Sequence, residues 1–307
     1  MELDTALVGL GPPLLVVAAF FAHRYYRRWR LQRLHAAPFN ADWQAALERA
    51  VPVYRALGHQ EQDRLRQLVK LFLDDKTFYG CNGLAITDEI RVTIAAQACL
   101  LMLHRGGGLY PDLQSILVYP AAFIAARENH HDDGTVSYSE DHMLGESWDN
   151  GRIVLSWDDV SRGAADFSDG YNVVLHEFAH QLDAETGSTN GAPAMRANSY
   201  KSWARVLGDN FEDLQSRVEK GQRTVIDDYG ATNPAEFFAV ATETFFENPH
   251  ALHARRPALF EQLAGYYRCD PRQWHSPRQA ASPAGTSPCG ATRPAYHPRQ
   301  PHSGKNH

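Results

Sequence analysis

Two histidines and a glutamate within residues 171–183 have the types and spacing of a metal-dependent hydrolase. This segment reads YNVVLHEFAHQLD, so His176, Glu177 and His180 form an HExxH motif among apolar residues. On a helix, a spacing of four places both imidazoles on one face, one turn apart, where both can reach one zinc ion. Because buried histidines need a partner to offset the loss of hydration, the apolar setting favours a metal site over two ordinary core histidines. Glu177 is the candidate general base beside them.

A third ligand has to come from elsewhere in the chain. A catalytic zinc ion typically has three protein ligands and an open position for water. The longer pattern HExxHxxGxxH is excluded, because Asp183 and Thr186 stand where its glycine and third histidine would be. An acidic residue on another helix is the remaining common solution, and Glu236 is the best candidate. Asn233 and Pro234 have the order of an N-cap and a first helical residue, which places Glu236 in the first turn.

Two interpretations of Glu236 stay open on these grounds. It is a metal ligand held on a rigid helix, or it is an acid that simply stabilises a helix N-terminus. Glu243, seven residues later, shares the same helix face and is a candidate acceptor for the N–H of a metal-binding histidine.

The two segments together resemble a known family. HEFAHQLD, followed at a distance by YGATNPAEFFAVATETFF, is similar to the Mlc titration factor A family of zinc metallopeptidases, and the similarity extends to GESWDNGRIVLSWDDV and ILVYPAAF. The resemblance covers about residues 45–270. It implies a zincin-like metallopeptidase fold with one zinc ion bound by His176, His180 and Glu236, and Glu177 as the catalytic base. It also implies aminopeptidase activity and binding to the glucose repressor Mlc, which would derepress the glucose phosphotransferase system.

A second resemblance concerns Tyr229. The string YGATNPAEFFA is also similar to the catalytic domain of anthrax lethal factor, in which a tyrosine just before the ligand helix assists the transition state. This similarity implies that role for Tyr229.

Two other functions compete with a peptidase. A non-catalytic regulatory protein could use the zinc fold to bind a transcription factor, but such a protein has no need of Glu177. A structural zinc site normally fills all four positions with cysteine or histidine, and the sequence offers no fourth ligand of that kind. The presence of base, ligands and tyrosine therefore favours an enzyme that acts on a peptide or protein substrate.

Hydrophobic patterning predicts the elements that position these residues. Helices are expected near residues 42–57, 60–75, 88–104, 170–184, 198–219, 234–247 and 257–268, with another starting at 158–159. Strands are expected at residues 115–120, 136–140 and 152–157. A small sheet beside several helices predicts a mainly helical α+β fold.

Composition excludes several other classes of protein. Of 307 residues, 44% are hydrophobic and 21% are charged, which is typical of a soluble globular body. The four cysteines are scattered without a CxxC pair, which argues against a disulfide scaffold and favours reduced cytosolic thiols. The net charge of −6 lacks the basic excess of a nucleic-acid binder, so we expect no direct nucleic-acid binding.

The charge is unevenly divided and indicates three regions. Residues 1–40 carry +3 and residues 271–307 carry +5, so residues 41–270 must carry −14. We expect 41–270 to be the zinc metallopeptidase domain and 271–307, which is rich in proline, to be a disordered tail.

The N-terminal region is expected to be a membrane anchor. Residues 6–22 are uncharged and mostly apolar, and five arginines follow between residues 24 and 33. This length is at the lower limit for a spanning helix, and the arginine flank would keep the catalytic domain in the cytoplasm, tethered to the inner (plasma) membrane. A helix lying on the surface and a buried core helix are the alternatives.

Overall fold

The structure is a computed structural model that describes residues 19, 21–22, 24–26, 28–121, 124–130, 136–142 and 151–275. The predicted anchor at residues 6–22 lies outside this range except for residues 19, 21 and 22. Most of the predicted tail, from residue 276 onward, also lies outside it. The chain divides between Ala41 and Asp42 into two units, which are described separately.

The described residues of the first unit up to residue 36 are helical. Tyr25, Tyr26 and Trp29 are exposed on this helix. The guanidinium of Arg33 lies 4.7 Å from the centre of the Trp29 ring. Within the part of the chain that the structure describes, no helix has both the length and the apolar character needed to cross a membrane.

The second unit contains most of the described helices. They are α1 (Ala41–Ala50), α2 (His59–Asp75), α3 (Asp88–Leu101), α4 (Trp157–Ala165), α5 (Val173–Ala184), α6 (Tyr200–Glu219), α7 (Pro234–Glu247), α8 (Pro249–Arg255) and α9 (Pro257–Tyr267). Short 3-10 helices lie at Pro52–Ala56, Ala197–Ser199, Asp228–Ala231 and Pro271–Trp274. The strands are β1 (Thr77–Gly80), β2 (Ser115–Tyr119), β3 (Ile124–His130), β4 (Val136–His142) and β5 (Arg152–Ser156).

The central sheet has three parallel strands in the order β1-β2-β5. Phe78 lies opposite Ile116, and Ile116 lies opposite Ile153 on the other side. Ile116 and Ile153 are almost fully buried, as expected for a parallel sheet covered on its faces by helices. β3 and β4 form a separate antiparallel pair. The mainly helical α+β fold with a small sheet is therefore confirmed.

The elements differ from the predicted ones at particular residues. The helix expected at 42–57 is interrupted, with α1 ending at Ala50 and a 3-10 helix following from Pro52. Pro52 has no N–H for a helical hydrogen bond and disfavours helical dihedrals at Val51, whose φ and ψ are −127° and 76°. The short elements β1, β3 and α8 were not predicted.

Aromatic side chains fix α5 inside the fold. Phe178 of α5 packs on Phe72 and Tyr110, with ring centres 5.7 Å and 4.7 Å away. The Tyr110 hydroxyl donates a hydrogen bond of 2.7 Å to the Ala98 carbonyl, which ties this cluster to α3. α7 packs against α5 as well. The HExxH helix is therefore held by neighbours from several parts of the chain.

The packed body extends past residue 270. Trp274 is buried and stacks on Phe246 with ring centres 5.9 Å apart. The Nε2 atom of His275 lies 2.7 Å from the Phe246 carbonyl oxygen. Residues 271–275, which the sequence assigns to the tail, therefore pack against α7.

Candidate metal centre

α5 places His176 and His180 side by side. The helix begins at Val173 because the side chain of its N-cap, Asn172, accepts hydrogen bonds from the backbone N–H groups of Val174 and Leu175. His176 is 9% exposed and His180 is 1% exposed. Their Nε2 atoms are 3.1 Å apart. The helix thus aims two buried imidazole nitrogens at one point.

α7 brings Glu236 to the same point. Asn233 caps this helix by accepting hydrogen bonds from the N–H groups of Ala235 and Glu236, and Pro234 is the first helical residue. The Oε2 atom of Glu236 lies 3.1 Å from Nε2 of His176 and 3.4 Å from Nε2 of His180. A residue far away in sequence therefore completes a cluster of three potential ligand atoms.

Two of these groups favour the protonation states that bind a metal ion. Burial lowers the pKa of His180 to about 4, although Glu236 opposes the shift, so His180 is neutral at neutral pH. Burial alone would raise the pKa of Glu236, but hydrogen bonds from His176 and His180 outweigh it and hold that pKa well below its usual range. A neutral imidazole and an ionised carboxylate are the forms that coordinate metals.

Glu243 orients His176. Its Oε1 atom lies 2.7 Å from Nδ1 of His176, so Nδ1 donates and Nε2 is turned toward Glu236. Burial lowers the pKa of His176, but the carboxylates of Glu243 and Glu236 outweigh it and raise that pKa well above its usual value. The other Glu243 oxygen accepts a hydrogen bond of 2.6 Å from the backbone N–H of Asn172. The hydrogen bond expected of Glu243 is therefore present.

The cluster fits a divalent metal ion. With Nδ1 of His176 donating to Glu243, its Nε2 is the nitrogen that would bind the metal ion, in place of the proton that the nearby carboxylates favour there. Neutral imidazole nitrogens and a carboxylate oxygen crowded within 3.4 Å of one another repel unless a proton or a cation lies between them. Two histidines and one glutamate are also a known donor set of catalytic metal sites.

The two remaining predicted residues lie beside this cluster. Glu177 is 2% exposed and directly follows His176 in α5. Tyr229 belongs to the 3-10 helix just before α7, and its ring centre lies 6.0 Å from that of His176. Asp227 caps this short helix by accepting a hydrogen bond of 3.0 Å from the Tyr229 N–H. All six residues singled out in the sequence therefore meet in one region of the fold.

Sequence reasoning missed a buried network behind the site. The Nδ2 atom of Asn172 donates to Gln97 Oε1 at 2.8 Å, to Glu247 Oε1 at 3.0 Å and to the Gly163 carbonyl at 3.2 Å. Burial raises the pKa of Glu247 well above its usual value, with Asn172 opposing the shift. An asparagine before an apolar helix is an N-cap signal that could have identified Asn172. Its links to α3 and α7 leave no local sequence pattern.

Comparison with known proteins decides the family. The family described as glucose-regulated metallo-peptidase M90 matches residues 26–268. The chain belongs to this metallopeptidase family. The match spans all six site residues, and the peptidase family together with the His176, His180 and Glu236 cluster implies a bound metal ion.

The relatives that resemble this chain cover most of its length. An uncharacterised protein of Synechocystis is 42% identical over 272 residues, which is 88% of this chain and 98% of the relative. Mlc titration factor A of Yersinia pestis is 33% identical over 238 residues, or 76% of this chain and 87% of the relative. The same values hold for Mlc titration factor A of Yersinia pseudotuberculosis. The resemblance to the Mlc titration factor A family that the motifs indicate is therefore confirmed.

Proposed function

We propose that this M90 family member is a zinc-dependent peptidase with aminopeptidase activity. The observation that carries the proposal is the approach of Nε2 of His176, Nε2 of His180 and Oε2 of Glu236 to within 3.1–3.4 Å of one another. Ligand atoms about 2.1 Å from a tetrahedral zinc ion lie about 3.4 Å from one another, so these three side chains fit zinc with a position left for water.

The chain would supply the proton transfers. When bound, a zinc ion polarises the scissile carbonyl and makes water more acidic. Glu177 would take a proton from the attacking water and pass it to the leaving amine, because it directly follows a ligand and is buried beside the site. Tyr229 would donate a hydrogen bond to the oxygen that becomes negative, since its ring lies next to that of His176.

Two substitutions separate the base from the ligands. Glu177→Gln should retain zinc and fold normally but lose peptide hydrolysis by about 10²-fold or more, because the amide cannot accept the proton. Glu236→Ala should bind zinc far more weakly, through the two histidines alone, and should be isolated without it. Elemental analysis measures the metal, and a peptide assay with and without chelator measures turnover. Unchanged hydrolysis by Glu177→Gln would contradict the role of the base, and full zinc occupancy in Glu236→Ala would contradict the ligand role.

The aminopeptidase preference is inferred from the family resemblance and from the acidic charge of residues 41–270, which attracts a free amino group. Matched peptides with free and acetylated amino termini test it. A free-terminus substrate should be cleaved, and its acetylated counterpart should not. Equal cleavage of both, at internal bonds, would show an endopeptidase instead.

A regulatory role is a second proposal, supported by the name of the Yersinia relatives, Mlc titration factor A. We infer that this chain binds a transcriptional repressor of the Mlc type and in this way regulates the glucose phosphotransferase system. Size-exclusion chromatography of the purified chain with such a repressor would detect a complex. If Glu177→Gln binds the repressor as wild type does, binding is independent of catalysis. If the two proteins elute separately at micromolar concentrations, the regulatory proposal fails.

We also propose that the N-terminal region tethers the catalytic domain to the cytoplasmic face of the inner (plasma) membrane. The exposed Tyr25, Tyr26 and Trp29 beside several arginines have the composition of a membrane interface. Fractionation should find the full chain with membranes, and a chain starting at residue 41 in the soluble fraction. Recovery of both in the soluble fraction would contradict the tether.

A further inference from the structure

A short loop after α5 is fixed at Gly191 by two side chains. Asp183, in the last turn of α5, accepts a hydrogen bond of 2.7 Å from the Gly191 N–H. Trp203 of α6 donates a hydrogen bond of 2.8 Å from Nε1 to the Gly191 carbonyl. Asp183 is fully buried and Trp203 is 3% exposed, so both groups are held by the surrounding fold. Gly191 therefore has a defined position relative to α5.

Gly191 is in turn packed directly on the start of α7. Its φ of +77° is in the left-handed region, which favours glycine. A Cβ atom at this position would lie 2.4 Å from the carbonyl oxygen of Pro234 and 3.0 Å from its carbonyl carbon. These are backbone atoms of the first residue of α7, which cannot rotate out of the way as a flexible side chain can. The close approach therefore requires glycine.

The contact lies next to the ligand on α7. Pro234 is followed two residues later by Glu236, and both are in the first turn, capped by Asn233. The path from Asp183 through Gly191 to Pro234 thus links the helix that carries His180 to the helix that carries Glu236. At the other end of α5, Asn172 is already bonded to Glu243 of α7. α5 and α7 are therefore connected on both sides of the His176, His180 and Glu236 cluster, by the Asn172–Glu243 hydrogen bond on one side and by the Gly191–Pro234 contact on the other.

We propose that Gly191 is a positioning residue that, through Pro234, sets the distance of the Glu236 carboxylate from His176 and His180. The inference rests on the proposed zinc site. Displacing the Pro234 carbonyl would shift Glu236 relative to the histidines, while leaving both histidines on α5.

Gly187 offers a matched control in the same loop. Its φ is +82°, close to that of Gly191, but a Cβ atom there meets no atom within 4 Å. Alanine at either position has the same unfavourable backbone conformation, so Gly187→Ala measures that cost alone, and Gly191→Ala should lose more thermal stability because its Cβ also collides with Pro234. Only Gly191→Ala should also weaken zinc binding, by about tenfold or more, as for other residues that orient a ligand. Gly187→Ala should bind zinc within about twofold of wild type. Equal zinc affinity in the two variants would overturn the proposal.

A double-substitution experiment tests whether the effect acts through Glu236. Zinc affinity is measured on the full chain by competition with a chromogenic chelator, without any peptide. In a Glu236→Ala background, which already lacks the third ligand, Gly191→Ala should cause no further loss. An undiminished further loss would show that Gly191 acts on the histidines or on the whole fold, and would refute the positioning role.

A third variant covers the case in which Gly191→Ala does not fold. Trp203→Phe removes the hydrogen bond to the Gly191 carbonyl while keeping an aromatic ring in the core. It should weaken zinc binding several-fold beyond any loss of stability, and an unchanged zinc affinity would contradict the proposal. These measurements also separate failure of this proposal from failure of the proposed peptidase function. If the wild-type chain binds zinc but cleaves no peptide, the expected differences in zinc affinity between the variants still hold.

Discussion

Asn172 and Asn233 allow one prediction to be worked out quantitatively. Each caps a helix by accepting hydrogen bonds from two backbone N–H groups, at 3.0–3.1 Å for Asn172 and 2.9–3.0 Å for Asn233. Replacing such a cap by alanine costs about 1 kcal/mol. Asn233 is exposed, whereas Asn172 is fully buried and also donates to Gln97 and Glu247. Asn172→Ala would leave both acceptors buried without this donor, at a cost of about 1–3 kcal/mol each.

The two alanine variants should therefore differ strongly in stability. We expect the free energy of unfolding to fall by about 1 kcal/mol in Asn233→Ala and by about 3–7 kcal/mol in Asn172→Ala. Asn172→Ser, which can still cap the helix, should recover about 1 kcal/mol of that loss. Urea unfolding of the zinc-free proteins, at constant slope, measures these values. Equal losses in Asn172→Ala and Asn233→Ala would refute the reasoning, because the buried network would then contribute nothing.

Two further predictions concern Tyr229 and Asp183. Tyr229→Phe should lower kcat by about 10²-fold with little change in KM, since a hydrogen bond made only to the transition state is lost; steady-state kinetics would show this, and an unchanged kcat would exclude the role. Burial raises the pKa of Asp183 from 3.8 to about 6, although the N–H of Gly191 opposes the shift. The folded state therefore binds this proton more tightly, and the contribution of Asp183 to stability falls as pH rises from about 4 to about 6. Asparagine at this position does not titrate, so the stability of Asp183→Asn should not fall in this way. As pH rises from about 4 to about 6, the urea midpoint of the zinc-free variant should therefore rise relative to that of the zinc-free wild type. A difference between the two midpoints that does not change with pH would contradict this prediction.

Local patterns were sufficient for the principal elements of the fold. The periodicity and caps predicted α2, α3, α6 and α7 to within a few residues, because a helix boundary depends on neighbouring residues such as Asn233 and Pro234. The same rules explain why the helix predicted at 42–57 is interrupted, because Pro52 breaks it. β1 was missed because it has only four residues, and its partner β2 is distant in sequence.

Some features of the site could likewise be predicted from local patterns, and others could not. The HExxH spacing alone indicates that His176 and His180 share a helix face, since both lie on one continuous turn of backbone. Local patterns could not exclude the interpretation of Glu236 as an acid that simply stabilises a helix N-terminus, because they do not show which helix α7 packs against. The links of Asn172 to Gln97 and Glu247, and of Gly191 to Pro234, were invisible for the same reason.

Local sequence patterns specify the chemistry that this chain can offer: two histidines one turn apart, an adjacent carboxylate, and a second helix that begins with a proline and bears an acid in its first turn. These features depend on residues within one or two helical turns. Tertiary packing sets the approach of Glu236 to within 3.4 Å of the histidines and the contact by which Glu243 turns His176 toward it. This is because α5 and α7 are brought together by packing and buried hydrogen bonds between residues far apart in the chain, and no local pattern encodes that distance.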